Sequence, residues 1–311
     1  MAKILITESV HPIGPELLTA AGHTVVYADR DMDVIRREIV DADAVLVRII
    51  ELPGSLLATA KNLKIVSKHG VGYDNIDLDY CKSHGIAVTI TPNANSLSVA
   101  EHAFTLMLTL AKNIIPVSNE YRTVGFAAKN HAPGIEMTGK TLGLIGMGRI
   151  GKHILHMCRD GLDMHVIVYD PYISEVPEGV ERVDDLSELL RRADIVTLHC
   201  LLTDETRKLI DRERLALMKP TALLINCARG PTVDEAALIE ALENGRLAGA
   251  GLDVTDPEPV APDSPLFKLP NVIVTPHYAP TTVESATRVS KIAAENINAV
   301  LAGQEPVGRI V

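Results

Sequence analysis

Apolar residues along this chain fall into short, dense runs separated by stretches of helical length. KILITE (Lys3–Glu8), HTVVYA (His23–Ala28), AVLVRI (Ala44–Ile49), KIVSKHG (Lys64–Gly70) and AVTITP (Ala87–Pro92) are apolar over most of their length. A strand apolar on both faces is covered on both sides, which is the situation in a parallel sheet between helices. GPELLTAAG and LPGSLLATAK, which lie between these runs, have helix-compatible patterns, so the region predicts a first doubly wound α/β unit. A second series holds TLGLIG (Thr141–Gly146), HVIVYD (His165–Asp170), DIVTLHC (Asp194–Cys200), ALLINCA (Ala222–Ala228), AGAGLDV (Ala248–Val254) and NVIVTPH (Asn271–His277). Its predicted helices cover Arg149–Arg159, Leu186–Arg192, Arg212–Met218 and Asp234–Asn244, and a last helix runs from Val283 to Leu301. Between the two series, SLSVAEHAFTLMLTLAKNI predicts one long helix over Ser96–Ile114. Its apolar face is too wide for an ordinary surface helix, so it either bridges two domains, lies in a subunit interface, or does both.

Composition narrows the picture. A chain of 311 residues, 47% hydrophobic, is long enough for about two domains with large cores. With no Trp and only 3% aromatic residues, those cores are built from Val, Ile, Leu and Ala. The net charge of −10 argues against nucleic acid, which demands a basic surface. It does not bar a small anionic substrate, for which a few local cations suffice. Cys81, Cys158, Cys200 and Cys227 lie far apart with no CxxC pair, so they read as reduced core thiols with no metal or disulfide role. MAKILITESV reads as a first strand rather than a signal peptide, and no apolar run approaches the roughly 20 residues of a membrane span. The expected location is the cytoplasm, with no membrane partner.

The sharpest motif is GMGRIG, with glycines at Gly146, Gly148 and Gly151. The spacing alone is weak evidence, but here a predicted strand enters it, a helix leaves it, and the next strand ends at Asp170. That arrangement fits a dinucleotide. Gly146 permits the tight turn, Gly148 lets backbone approach the pyrophosphate, Gly151 lets the helix pack on the sheet, and Asp170 accepts from the adenosine ribose. A carboxylate at Asp170 repels a 2′-phosphate and Pro171-Tyr172 supply no arginine to receive one, so NAD is favoured over NADP.

With GMGRIG and VYD stand NCARG (Asn226–Gly230), DVTDPEP (Asp253–Pro259), TPH (Thr275–His277), HGVGYDNID (His69–Asp77) and NANSLSVAEH (Asn93–His102). In that order, over essentially the whole chain, they resemble the D-isomer-specific 2-hydroxyacid dehydrogenases, nearest the 3-phosphoglycerate dehydrogenase and hydroxypyruvate reductase branch. The resemblance implies two doubly wound parallel-sheet domains with the active site in the cleft between them. The flavodoxin-like substrate domain would be discontinuous, residues 1–97 and 278–311, and the Rossmann NAD-binding domain would span 98–277. The helix at Ser96–Ile114 matches the family's hinge and dimer element, which implies a homodimer through the NAD-binding domain.

The family's site residues carry over one by one. Arg229 matches the arginine that holds the substrate carboxylate and carbonyl, a task suited to a planar fork of donors. His277 matches the acid/base and Glu258 the partner that holds its imidazole. Gly70, Val71 and Gly72 match a loop whose backbone N–H groups receive the substrate carboxylate, and Arg48 lies in a second substrate loop. Arg149, Ile150, Thr206, Cys227 and Ala228 fall at cofactor-lining positions, and Asp253 at the one that orients the nicotinamide carboxamide.

Several positions depart from the pattern. Leu201 stands where the family commonly has proline, and Tyr278-Ala279-Pro280 replaces small residues after the histidine. Tyr278 either reshapes the pocket wall or simply packs. Arg48 is followed by Ile49-Ile50-Glu51, where the phosphoglycerate branch carries small hydroxylic and basic residues. That weakens the case for a substrate phosphate, although Lys68 and His69 leave positive charge nearby. The chain ends soon after its last helix, so no added regulatory domain is expected. The expected activity is NAD-dependent hydride transfer on a short D-2-hydroxy or 2-keto acid such as hydroxypyruvate, glyoxylate, D-glycerate or 3-phosphoglycerate. The alternative is a nicotinamide-binding interaction module of the corepressor type, which can retain Arg229, Glu258 and His277.

Overall fold

The computed structural model describes residues 1–311. The chain divides into two compact units, Met1–Asn95 with Thr281–Val311, and Ser96–Pro280. The first begins with β1 (Lys3–Ile6), α1 (Ile13–Ala20), β2 (Thr24–Tyr27), α2 (Met32–Glu38), β3 (Ala44–Val47), α3 (Gly54–Leu57), β4 (Ile65–Lys68), α4 (Leu78–Ser83) and β5 (Ala87–Thr89). These strands form one parallel sheet in the order β2-β1-β3-β4-β5, the flavodoxin-like order. Alternation along each strand feeds two cores. Leu5, Val45, Val47, Val66 and Val88 face one layer, while Ile4, Ile6, Leu46 and Ile65 face the other.

The second unit holds α5 (Ser96–Ala111), α6 (Ile114–Val124), β6 (Thr141–Ile145), α7 (Arg149–Leu162), β7 (His165–Tyr169), β8 (Val180–Arg182), α8 (Leu186–Arg192), β9 (Ile195–Leu198), α9 (Arg212–Leu215), β10 (Leu223–Asn226), α10 (Glu235–Glu243), β11 (Gly249–Leu252) and β12 (Val272–Val274). Its seven-stranded sheet runs β12-β11-β10-β9-β6-β7-β8, all parallel. This is the Rossmann order with one strand added beyond β11. The strand order reverses between β6 and β9, which opens a crevice above their carboxyl ends.

The last helix, α11 (Val283–Leu301), belongs to the first unit. Ala293, Ala294 and Ile297 join the core of Ile4, Ile6 and Ile65, and the Ser67 hydroxyl donates to the Ala293 carbonyl at 3.0 Å. Burying one such branched side chain contributes roughly 1.5–3 kcal/mol, so this apolar face ties the chain's end to its beginning.

The structure corrects three expectations. The helix predicted over Ser96–Ile114 is two helices, because Asn113 turns left-handed at φ 50° and α6 starts afresh at Ile114. The helix in LPGSLLATAK shrinks to Gly54–Leu57, and the one at Arg212–Met218 to Arg212–Leu215. All four cysteines are free thiols; Cys81, Cys158 and Cys227 are buried, while Cys200 is half-buried. No helix is long and apolar enough to cross a membrane.

Candidate active site

In the second unit the glycine run connects β6 to α7 beside the reversal in strand order. Gly146 has φ 88°, and a Cβ there would stand 2.9 Å from the backbone of His199 and Cys200. A Cβ on Gly151 would lie 2.3 Å from the Gly146 carbonyl oxygen, so the first turn of α7 rests directly on the loop. At Gly148 a Cβ would meet nothing within 4 Å, so the space above that backbone is open to a ligand. No side chain caps the start of α7 at Gly148; Gly148 and Arg149 are exposed there, and Ile150 packs against the core. An uncapped helix start with open, Cβ-free backbone is a cradle for a diphosphate. Asp170, at the end of β7, accepts from the Met147 N–H at 2.9 Å and from the Tyr172 N–H at 3.0 Å. Its carboxylate therefore ties the glycine loop to the turn after β7. These residues fit a dinucleotide.

Thr206 lies across the crevice in the loop after β9. Its hydroxyl donates to the Leu201 carbonyl at 2.6 Å and accepts from the Thr203 N–H at 2.8 Å, so it closes that loop upon itself. His199 below it is pushed down to about 3 by burial and stays neutral.

A second group stands at the ends of β10, β11 and β12. Asn226, 1% exposed, accepts from the Ala228 N–H and donates to the Arg229 carbonyl, which shapes the Cys227–Ala228–Arg229 turn. Cys227 and Ala228 are buried, and burial, first, with Asp253 nearby holds the Cys227 thiol well above its ordinary value. Gly230 follows because a Cβ would sit 1.9 Å from the Thr255 carbonyl oxygen. Arg229 is half-buried, and its guanidinium donates to the Ala228 carbonyl at 2.9 Å.

Asp253, at the end of β11, is 1% exposed. Oδ1 accepts from the Thr275 hydroxyl at 2.5 Å and the Tyr278 N–H at 2.7 Å, and Oδ2 from the Ala279 N–H at 2.9 Å. Its carbonyl accepts from the His277 N–H at 2.8 Å. His277 is thereby held at φ 53°, a left-handed conformation that costs a non-glycine residue roughly 1–3 kcal/mol and persists only where its surroundings enforce it. In that conformation His277 Nδ1 meets Glu258 Oε1 at 2.7 Å, with side chains 32% and 37% exposed. Since Nδ1 is engaged, Nε2 is the ring nitrogen left to exchange a proton. Tyr278 is half exposed, and its ring packs edge-to-face on His102 at 6.1 Å.

In the first unit, Arg48, Gly70, Val71 and Gly72 follow the neighbouring strands β3 and β4. Gly70, at φ 142°, has its carbonyl held by the N–H and hydroxyl of Thr91, which leaves half-buried Val71 and Gly72 to form the loop. The loop carrying Arg48 is organised by Glu8, a residue that sequence reasoning did not single out. Its buried carboxylate accepts from the Arg48, Ile49 and Ile50 N–H groups at 2.7, 2.8 and 3.2 Å, and from the Thr7 hydroxyl. The Arg48 guanidinium donates to the Ser9 carbonyl at 3.1 Å. The positive charge expected from His69 is not there, because burial, and then the charge of Arg48, push it down to about 3. Lys68 is 7% exposed and donates to the Arg48 carbonyl and the Asn75 side chain.

The comparisons with known proteins agree with this geometry. Residues 104–279 match the model of the D-isomer specific 2-hydroxyacid dehydrogenase family, NAD binding domain. The chain belongs to this family. A D-3-phosphoglycerate dehydrogenase of Methanocaldococcus jannaschii is 42% identical over 308 residues, which is 98% of this chain and 58% of that protein. A glyoxylate reductase of Thermofilum pendens is 38% identical, over 98% of this chain and 93% of that protein. The crystal structure of the TT0316 protein from Thermus thermophilus superposes with a TM-score of 0.93 at 34% identity, over 99% of this chain and 100% of that one. The chain thus spans the full length of the TT0316 structure, but little more than half the length of the two D-3-phosphoglycerate dehydrogenases it matches.

The second and third glycines of the cradle are expected to respond differently to an added methyl group. Gly151→Ala drives a Cβ into the Gly146 carbonyl and should cost roughly 1–3 kcal/mol in urea unfolding. Gly148→Ala should leave unfolding within about 1 kcal/mol of the parent while weakening NADH in calorimetry, because its methyl group takes only ligand space. Equal loss of stability in both variants would contradict the cradle.

Proposed function

We propose that this chain is an NAD-dependent dehydrogenase that moves a hydride between nicotinamide and a short, unphosphorylated D-2-hydroxy or 2-keto acid. The observation that carries the reading is His277 held on Glu258 at 2.7 Å in the unit that also holds the dinucleotide cradle. Nicotinamide, when bound, supplies or accepts the hydride. Around it, Gly146, Gly148, Arg149, Ile150 and Gly151 hold the diphosphate, Asp170 the adenosine ribose, and Thr206, Cys227 and Ala228 line the ring systems. Asp253, at the end of β11, orients the nicotinamide carboxamide. Arg229 holds the substrate carboxylate and keto oxygen, with the N–H groups of Val71 and Gly72 after Gly70 as further donors and Arg48 in the neighbouring loop. His277 Nε2 gives a proton to the oxygen as the keto carbon gains hydride, and takes it back in oxidation. One keto acid, one hydride and one proton make one hydroxy acid.

Residues 1–95 and 281–311 serve the substrate in this reading, and 96–280 the cofactor. Ile49 is 48% exposed and His69 neutral, so the loops after β3 and β4 offer little to a phosphate, which favours glyoxylate and hydroxypyruvate. Four free thiols, three of them buried, support the cytoplasm as its compartment.

The proton relay makes the first functional test. NADH oxidation with glyoxylate, hydroxypyruvate and 3-phosphohydroxypyruvate should show turnover, with the unphosphorylated acids at the higher kcat/KM. An inert panel would favour the interaction module. His277→Ala should cut kcat in both directions by about 10²–10⁴ with NADH still bound. Reduction consumes a proton, so its rate should fall with rising pH while oxidation rises. Near-normal turnover in His277→Ala would reassign the relay.

Cofactor choice is tested by binding alone. NADH should bind more tightly than NADPH in calorimetry, and Asp170→Ala should narrow the gap; equal affinities in the parent would refute the role of Asp170.

The homodimer has its own support. α6 buries none of its residues within the chain, and Ile114, Ile115, Tyr121, Val124 and Phe126 stand exposed on and after it. An apolar surface of this kind marks an association site. Sedimentation should give a dimer that Phe126→Asp with Tyr121→Asp converts to monomer, and a monomeric parent would end the idea.

A further inference from the structure

The loop that carries His277 is anchored by a side chain from a distant element. His102 on α5 is 173 residues away from Thr275, yet its Nε2 lies 3.0 Å from the Thr275 hydroxyl oxygen and 3.5 Å from Asp253 Oδ1. The direction of these bonds follows from counting hydrogens. Thr275 has one hydroxyl hydrogen, and its 2.5 Å contact with the Asp253 carboxylate requires that hydrogen to lie between them. The Thr275 oxygen is then an acceptor, and His102 Nε2 must carry the donated hydrogen. Donors therefore run from His102 to Thr275 to Asp253, and Asp253 in turn receives the N–H groups of Tyr278 and Ala279 just after His277. The His102 ring also supports the Tyr278 ring from the side.

We propose that His102 is a positioning residue for the reaction: through Thr275 and Asp253 it holds the loop that keeps His277 left-handed and seated on Glu258. It touches no reacting atom. The inference rests on His277 being the acid/base, and it adds a part that neither the glycine motif nor the residues at the strand ends contain. Without His102 the Thr275 oxygen loses its donor while Asp253 keeps its three, so Thr275 is held less firmly, the backbone at Tyr278 loosens and the imidazole samples poses away from Glu258. A small misplacement of an acid/base costs far more in rate than in stability.

The test is His102→Leu against His102→Gln in the full chain, since the glutamine amide restores a donor to Thr275. His102→Leu is expected to lower kcat by about 10- to 100-fold with NADH affinity nearly unchanged. His102→Gln should recover most of that rate. Independently of turnover, the His277 Nδ1–H resonance, assigned by its loss in His277→Ala, should shift or broaden in His102→Leu and return in His102→Gln. Thr275→Val cuts the same link without altering α5 and should reproduce the loss of rate, which covers the case in which His102→Leu fails to fold. Parent-like kcat in His102→Leu or Thr275→Val, failure of glutamine to rescue, or an unmoved resonance each overturns the proposal. A fully active His277→Ala would instead overturn the acid/base reading, while the resonance would still report whether His102 positions the ring.

Discussion

A carboxylate removed from water must find donors, because an unpaired buried charge costs several kcal/mol. Asp253, 1% exposed, finds them in Thr275 and in the N–H groups of Tyr278 and Ala279. Those groups flank His277, so satisfying the acid and placing the histidine are one event. The same device recurs at the carboxyl ends of other strands. Asp170 gathers the N–H groups of Met147 and Tyr172, which sets the glycine loop against the turn after β7. Glu8 gathers those of Arg48, Ile49 and Ile50. In each case an acid fixed by a rigid strand takes over a neighbouring loop, and the loop carries the residues assigned to substrate, cofactor or proton.

The sheets and the glycine cradle were legible because their causes are local. Runs such as AVLVRI and ALLINCA are apolar on both faces, and only a covered parallel strand accommodates that. GMGRIG was legible for the same reason: a tight turn, a close helix and an open backbone each need glycine at a fixed place along a single segment. His277 and Glu258 were legible by resemblance rather than by pattern. A Glu between two prolines carries no signal of its own, and only the folded chain brings it to 2.7 Å from an imidazole 19 residues away.

What escaped the sequence falls into two physical classes. The first is elements with too little buried surface to leave a periodic trace. α2 and α4 bury one residue each, Ile35 and Cys81; β8 is a three-residue strand at the sheet's edge, and α6 buries none. A helix whose apolar side chains are exposed in the isolated chain gives no core-facing stripe to read. The second class is polar groups whose partners lie far along the chain. Glu8 meets Arg48 across 40 residues and His102 meets Thr275 across 173, and no spacing rule spans such gaps. The break of α5 at Asn113 belongs with neither class. It is a single left-handed residue inside a continuous helical pattern, and asparagine is among the few side chains that tolerate it.

Three histidines at the carboxyl ends of the strands show how burial sorts one residue type into different roles. His69 and His199 are pushed down to about 3, the first by burial and the charge of Arg48, the second by burial alone. Each has a buried ring nitrogen with no partner, Nε2 in His69 and Nδ1 in His199, which a neutral ring bears at far lower cost than a charged one. Each is a neutral, buried group at the start of the loop that follows its own strand. His277 differs in both respects that matter for proton exchange: a third of its side chain reaches solvent, and its Nδ1 has a partner in the Glu258 carboxylate at 2.7 Å. In the proposed reaction, proton exchange thus falls to His277, because His69 and His199 are buried too deeply to take up charge.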